Sequence, residues 1–278
     1  MVYLLLAIAS SAMVSIVMRL STHRVKQNVG MLAVNYFVCT LVAAVYAGFG
    51  ALLPDSPALP QTLGLGAVNG ALYLSGFVLL QYNIRKNGVV ISSVFMKLGL
   101  LVPMAVSVLA FGEKPGVLQI AGFVLAVAAI VLINSGKEKS AVRSGLFLIL
   151  LLLGGGCCDV MAKVFEELGD GALGDQFLLY TFAAAFLLCL ALMFYKKQRI
   201  GGAELMWGAL IGIPNFFSAK FLLGALKSIS AVVVYPTYSV ATLLVITLAG
   251  VLFFKEKLGR RQWVALGIIL AALALLNL

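Results

Sequence analysis

The second half of this chain repeats the first at a constant offset, position 223 answering to position 80. The clearest stretch pairs residues 80–134 with 223–277 without a gap. Roughly a third of those positions are identical, among them Val89/Val232, Leu100/Leu243, Glu113/Glu256, Lys114/Lys257, Gly116/Gly259, Gln119/Gln262 and Asn134/Asn277. Each copy holds five apolar runs of membrane length. A unit with an odd number of crossings enters the bilayer upside down the second time it occurs, so the repeat predicts two halves of opposite orientation.

Composition places the chain in lipid. It is 63% hydrophobic and 11% charged, with a mean hydropathy of +1.10, and no soluble fold could cover that much apolar surface. A spanning helix needs roughly 20 apolar residues. Ten such runs are read at 2–20, 30–50, 62–82, 88–111, 117–135, 144–165, 176–195, 203–226, 231–254 and 262–278. The expected fold is an all-α membrane protein with ten transmembrane helices arranged as two inverted five-helix repeats. The repeats occupy 1–135 and 144–278, joined by a basic linker at 136–143 that is expected to be cytoplasmic.

The net charge of +10 is unevenly distributed. Arg24 and Lys26 follow the first run, Arg85 and Lys86 the third, and Lys137, Lys139 and Arg143 the fifth. Lys196, Lys197 and Arg199 follow the seventh, and Lys255, Lys257, Arg260 and Arg261 the ninth. The alternate loops carry Lys114 and Lys227 but hold Asp55, Glu113, Glu166, Glu167, Asp170 and Asp175. This positive-inside bias predicts a multi-pass protein of the cell (inner) membrane with both termini outside, its first run retained as a helix. Trp207 and Trp263 are expected at the cytoplasmic interface as aromatic anchors. The charge is topological, and no nucleic-acid partner is expected.

Cys39, Cys157, Cys158 and Cys189 all fall within apolar runs, without CxxC spacing, and the single histidine, His23, is in a loop. Neither a metal site nor a disulfide framework is indicated. No Ser/His/Asp set, paired carboxylates or phosphate-binding glycine loop is present, so no cofactor and no enzymatic activity are expected.

Polar groups at membrane depth are the functional candidates, because each is unfavourable in lipid unless it faces a cavity or a partner. Tyr235, Tyr238, Ser239 and Thr242 recur at helical spacing and form one face of the ninth run. Pro236 beside them removes a backbone donor and frees a carbonyl. Lys97 lies near the middle of the fourth run with Ser93 one turn before it. It reads as a substrate- or ion-binding cation, or as one half of a structural pair. Asp159 is the acid deepest in a run. It pairs locally with Lys163 at i+4, or across helices with Lys97 as a coupling-ion site. Asn69 with Tyr73, and Asn215 with Ser218, are further substrate-binding candidates, whereas Lys220 reads as a cation reaching for the interface.

Other features read as structure. Gly66-xxx-Gly70 and Gly208-xxx-Gly212 hold spacings that let helices approach closely, and Gly154, Gly155 and Gly156 pack or hinge the sixth run. Glu113 and Glu256 precede the fifth and tenth runs, where a carboxylate suits the helix dipole.

Segments 106–122 (VSVLAFGEKPGVLQIAG) and 231–265 (AVVVYPTYSVATLLVITLAGVLFFKEKLGRRQWVA) carry a common pattern: an apolar helix ending in Glu-Lys, a short turn, a Gln, and a helix rich in small residues. The pattern resembles the EamA-type transporters of the drug/metabolite transporter superfamily. The resemblance implies a ten-helix bundle whose cavity is lined by helices 1–4 and 6–9, with helices 5 and 10 peripheral. It implies a secondary transporter of a small polar metabolite that works by alternating access, with the lipid bilayer and a coupling proton or cation as its other partners. A flippase of a lipid-linked substrate and a non-transporting membrane scaffold remain the alternatives. Substrate identity, transport direction and oligomeric state are left open.

Overall fold

The computed structural model describes the chain except residues 22–23, 88–91, 93–94, 97, 135–144 and 255–259. Among the described residues there is no strand. The helices are α1 (Val2–Ser21), α2 (Asn28–Ala47), α3 (Leu59–Asn87), α4 (Leu101–Leu109), α5 (Val117–Asn134), α6 (Gly145–Leu168), α7 (Gly174–Tyr195), α8 (Gly202–Leu226), α9 (Ala231–Phe254) and α10 (Arg260–Leu276). A 3-10 turn, Leu98–Leu100, leads into α4, and another, Gly171–Leu173, leads into α7. Helices suit such a sequence because every backbone polar group is satisfied within its own segment, as lipid requires.

Seven of the described helices are long and apolar enough to cross a membrane: α1, α2, α3, α6, α7, α8 and α9. Apolar stretches Leu98–Leu109, Val117–Leu132 and Trp263–Leu276 are shorter. The runs expected at 88–111 and 262–278 are thus helical over shorter described stretches.

The chain divides into two compact units that do not follow the sequence repeat. One comprises Met1–Leu74 and Val164–Lys227, the other Ser75–Lys163 and Ser228–Leu278, so each draws helices from both copies. In the first unit α2 packs on α7 and α8, and α1 on α8. Gln176 Nε2 at the start of α7 donates to the Ala51 carbonyl beyond the end of α2, at 3.1 Å. The Arg199 N–H beyond the end of α7 donates to Gln27 Oε1 at the start of α2, at 2.7 Å. Each helix therefore begins where the other finishes, and α2 and α7 run antiparallel.

Glycines set the other pairings. A Cβ at Gly208 would meet the Met31 carbonyl at 2.6 Å, and one at Gly212 would meet Val38 Cβ at 2.7 Å, so α8 lies against α2 and parallel to it. A Cβ at Gly66 would lie 2.7 Å from Tyr180 Cβ, and one at Gly70 2.5 Å from the Thr181 carbonyl, which sets α3 parallel to α7. Both glycine pairs thus join helices of different repeats, the close approach that substitutes for a hydrophobic drive in lipid.

In the second unit α5 packs on α10, and a Cβ at Gly122 would sit 3.0 Å from Leu275 Cβ and from the Ala272 carbonyl. The start of α5 therefore meets the end of α10, and these helices too are antiparallel. The seam uses repeat-equivalent positions, since Ala126 and Ala129 answer to Ile269 and Ala272 and all four are buried in one apolar cluster. Gly156 approaches Gly99 and Val102, so the glycine triplet of α6 serves close packing within a continuous helix.

Candidate functional site

In the second unit a polar junction joins the α4–α5 turn, α6 and the start of α9. Glu113 Oε1 accepts the N–H of Ala231 and Oε2 that of Val232, each at 3.0 Å. These are donors that the first turn of a helix cannot satisfy internally. The same carboxylate lies 3.1 Å from Lys163 Nζ, whose side chain is 5% exposed, and the ammonium stands 5.9 Å from the Phe111 ring centroid. Glu113 therefore caps a helix, but the helix is α9 rather than the adjoining α5 expected from sequence. Lys163 forms an ion pair with Glu113 across elements.

The tyrosine stripe of α9 belongs to the same unit. Tyr235 is 1% exposed, and its hydroxyl donates to the Asp159 backbone carbonyl at 2.5 Å, joining two nominated residues. Tyr238 and Ser239 are half-buried. Thr242 is 1% exposed, and its Oγ1 has no hydrogen-bond partner among the described residues; the same holds for Ser107 Oγ on α4. Lys97 and Ser93 lie outside the described residues, as do Glu256, His23 and the linker 136–143.

The first unit collects the other nominated groups. Asn215 Nδ2 donates to Asn35 Oδ1 at 3.2 Å and approaches Cys39 Sγ at 3.7 Å, while the Cys39 thiol donates to the Gly212 carbonyl at 3.2 Å. This network fastens α8 to α2. Asn69 is 3% exposed; its Nδ2 donates to Thr181 Oγ1 at 3.3 Å, and its Oδ1 has no partner among the described residues. One turn on, Tyr73 meets Tyr36 edge-on, with centroids 6.1 Å apart, and both contact Phe182.

A second ion pair stands in this unit. Lys220 Nζ lies 2.5 Å from Asp175 Oδ1 and 4.1 Å above the Tyr46 ring. Phe216 and Phe217 flank Tyr46 at 5.4 and 5.9 Å, and Phe217 stacks on Phe221 at 5.6 Å. Lys220 thus has a partner across helices, where the sequence suggested a cation reaching for the interface. Glu204 was also missed. At the start of α8 it accepts the N–H groups of Lys26 and Gln27, the two residues just ahead of α2, at 3.0 and 3.2 Å. Asp175 and Glu204 carry no signal in periodicity, because their partners are distant in sequence. Trp207, expected as an interfacial anchor, is buried against Met31 and Ile211 with Arg24 5.4 Å over its ring, whereas Trp263 is 59% exposed.

Comparison with known proteins follows the same two halves. The EamA-like transporter family matches residues 1–135 and again 144–278. An uncharacterized protein of Haemophilus influenzae is 25% identical over 98% of this chain and 95% of its own length. The uncharacterized membrane protein YvaE of Bacillus subtilis is 35% identical over 33% of this chain and 82% of its own. A solved crystal structure, titled only as that of a protein, superposes with a TM-score of 0.73 at 14% identity, covering 99% of this chain and 94% of that one.

Proposed function

Because the chain belongs to the EamA-like transporter family and is an integral multi-pass membrane protein, we propose that it moves a small polar metabolite through the membrane by alternating access. In this reading the two five-helix repeats are inserted with opposite orientation and rock about a midplane site. The antiparallel course of α2 against α7 and of α5 against α10 supports the inversion, since equivalent helices of an inverted repeat run in opposite directions. Transport would be driven by a gradient, as the sequence holds no nucleotide-binding glycine loop.

The observation that carries the reading is that each unit holds a buried polar oxygen without a partner among the described residues, Asn69 Oδ1 in the first and Thr242 Oγ1 in the second. A polar atom at membrane depth needs a hydrogen bond, and a passing polar solute supplies one. Asn69, Tyr73, Asn215, Tyr235, Tyr238, Ser239 and Thr242, with Ser93 and Lys97, are the proposed substrate-binding residues. Asp159 is the proposed site of a coupling proton or cation. The basic loops lie in the cytoplasm of the cell membrane and both termini outside. In the first unit Arg24, Lys26 and Arg199 gather at the end where α2 begins and α7 finishes, and Asp170 and Asp175 at the other.

Thermal unfolding of the purified protein against amines, amino acids, sugars and phosphorylated metabolites tests the reading. A ligand at 100 times its dissociation constant stabilises the fold by about 2.7 kcal/mol. A shift confined to one chemical class supports the proposal. No shift for any class, together with a lipid-linked phosphate or sugar co-purifying with the protein, would turn the assignment to a flippase.

A further inference from the structure

We propose that residues 24–27, just ahead of α2, and 196–199, just beyond α7, together form a docking surface for an anionic phospholipid head group. Its phosphate is held by Arg24, Lys26, Lys196, Lys197 and Arg199. The inference is independent of transport and takes from the proposed orientation only that the leaflet is the cytoplasmic one.

The two segments are far apart in sequence and are stitched together within the first unit. Glu204 Oε1 accepts the N–H groups of Lys26 and Gln27, its Oε2 accepts that of Gly201, and the Arg199 N–H donates to Gln27 Oε1. The Glu204 carboxylate is thus buried and spent on backbone donors. All five basic residues are exposed, and among the described residues no acid forms an ion pair with any of them. The Arg24 guanidinium is placed 5.4 Å over the ring of buried Trp207, which fixes it beside the other four.

The fold itself does not ask for these charges. The offset between the repeats also relates the starts of α1 and α6, and of α3 and α8. It pairs Arg24 with Glu167, Lys26 with Gly169, Lys196 with Leu53, Lys197 with Pro54 and Arg199 with Ser56, so the equivalent connections are made without a single cation. Lys197 is also strained. Its φ is 51°, and its N–H bonds the Phe194 carbonyl while that of Gln198 bonds the Met193 carbonyl, the helix ending in which glycine is at ease. Membrane orientation needs charge near a helix end but no particular residue. It does not account for a lysine at the one position where a side chain is costly, whereas a ligand for that ammonium does.

The surroundings select a lipid over a soluble anion. Phe194 and Tyr195 in the last turn of α7 are largely exposed, as are Leu205 and Met206 near the start of α8. An apolar rim therefore borders the cations at the helix ends, where aromatic residues meet the bilayer interface. A phosphodiester can place its charge on the basic groups while its acyl chains follow the rim. Each lysine or arginine near such a surface strengthens binding of anionic lipid about fivefold.

The test titrates the purified full chain in detergent micelles with phosphatidylglycerol or phosphatidylcholine of matched acyl chains. Bound lipid is read by native mass spectrometry, and the melting temperature is followed beside it. The wild type is expected to prefer phosphatidylglycerol roughly tenfold or more, and added salt to erode the preference. Combining Lys26→Gln, Lys197→Gln and Arg199→Gln should abolish it. Removing as many charges from the linker, with Lys137→Gln, Lys139→Gln and Arg143→Gln, should leave it in place. Lys197→Gly should raise the melting temperature without lipid while weakening phosphatidylglycerol binding about fivefold, opposite signs that a purely structural lysine would not give. Equal binding of the two lipids by folded wild type overturns the proposal, as does an equal loss in the linker variant or undiminished binding by Lys197→Gly. Glycerol 3-phosphate that raises the melting temperature as far as the lipid does would give the surface to a soluble anion and overturn lipid docking.

Discussion

Lys163 Nζ stands 3.1 Å from Glu113 Oε1, and the Glu113 carboxylate also holds the first two N–H groups of α9. One acid thus neutralises a buried cation and caps a helix far from it in sequence. Burying such a pair is unfavourable unless the remaining valences are filled, and here the backbone of α9 fills them.

Removing one partner is therefore expected to be severe. Glu113→Ala removes the carboxylate that pairs with buried Lys163 and orphans two N–H groups of α9, at a cost of about 3–5 kcal/mol. Lys163→Met should cost less, because the carboxylate keeps its backbone donors. Denaturant unfolding of both single variants and the double variant measures the coupling, which is expected to be positive.

The glycines separate into tight and open sites. Gly70→Ala and Gly212→Ala would place a Cβ 2.5 Å from the Thr181 carbonyl and 2.7 Å from Val38 Cβ, and each should destabilise by about 1–3 kcal/mol. Nothing lies within 4 Å of a Cβ at Gly64 or Gly76, both within α3. Alanine there should be neutral or stabilising by up to about 1 kcal/mol. Melting temperatures of the four variants check the contrast.

The antiparallel seam of α5 and α10 has a covalent test. With the four native cysteines replaced, Gly122→Cys and Leu275→Cys together should form a disulfide, since the added Cβ lies 3.0 Å from Leu275 Cβ and small shifts reach bonding distance. Gly122→Cys with Ala265→Cys joins repeat-equivalent positions and should not. Crosslinking of the second pair alone would mean that the helices run parallel.

Orientation is open to labelling. Cysteines placed at Arg199 and at Asp170 should react with an impermeant maleimide from opposite faces of the membrane, Arg199→Cys from the cytoplasm. A reporter fused after Leu278 and active only in the cytoplasm would reverse the assignment.

Much of the helix layout was legible from the chain. The ninth run was read at 231–254, and α9 spans Ala231–Phe254, because uninterrupted apolar length marks a span without reference to its neighbours. The two GxxxG pairs were read as packing surfaces, and close helix approaches occur at all four glycines. Their partners were not legible. Periodicity orients a residue on its own helix, and an all-round apolar helix has no polar stripe to reveal its outer face. For the same reason Glu113 was assigned to the wrong helix and the pairing of Lys220 with Asp175 was missed. Lys97, also nominated from sequence, lies outside the described residues.

The most direct test of the central claim is flux. Purified protein reconstituted in proteoliposomes should catalyse saturable counterflow of at least one class of small polar solute without ATP, drawn from labelled amino acids, sugars, amines and phosphorylated metabolites. Folded, inserted protein that exchanges none of them would contradict the account.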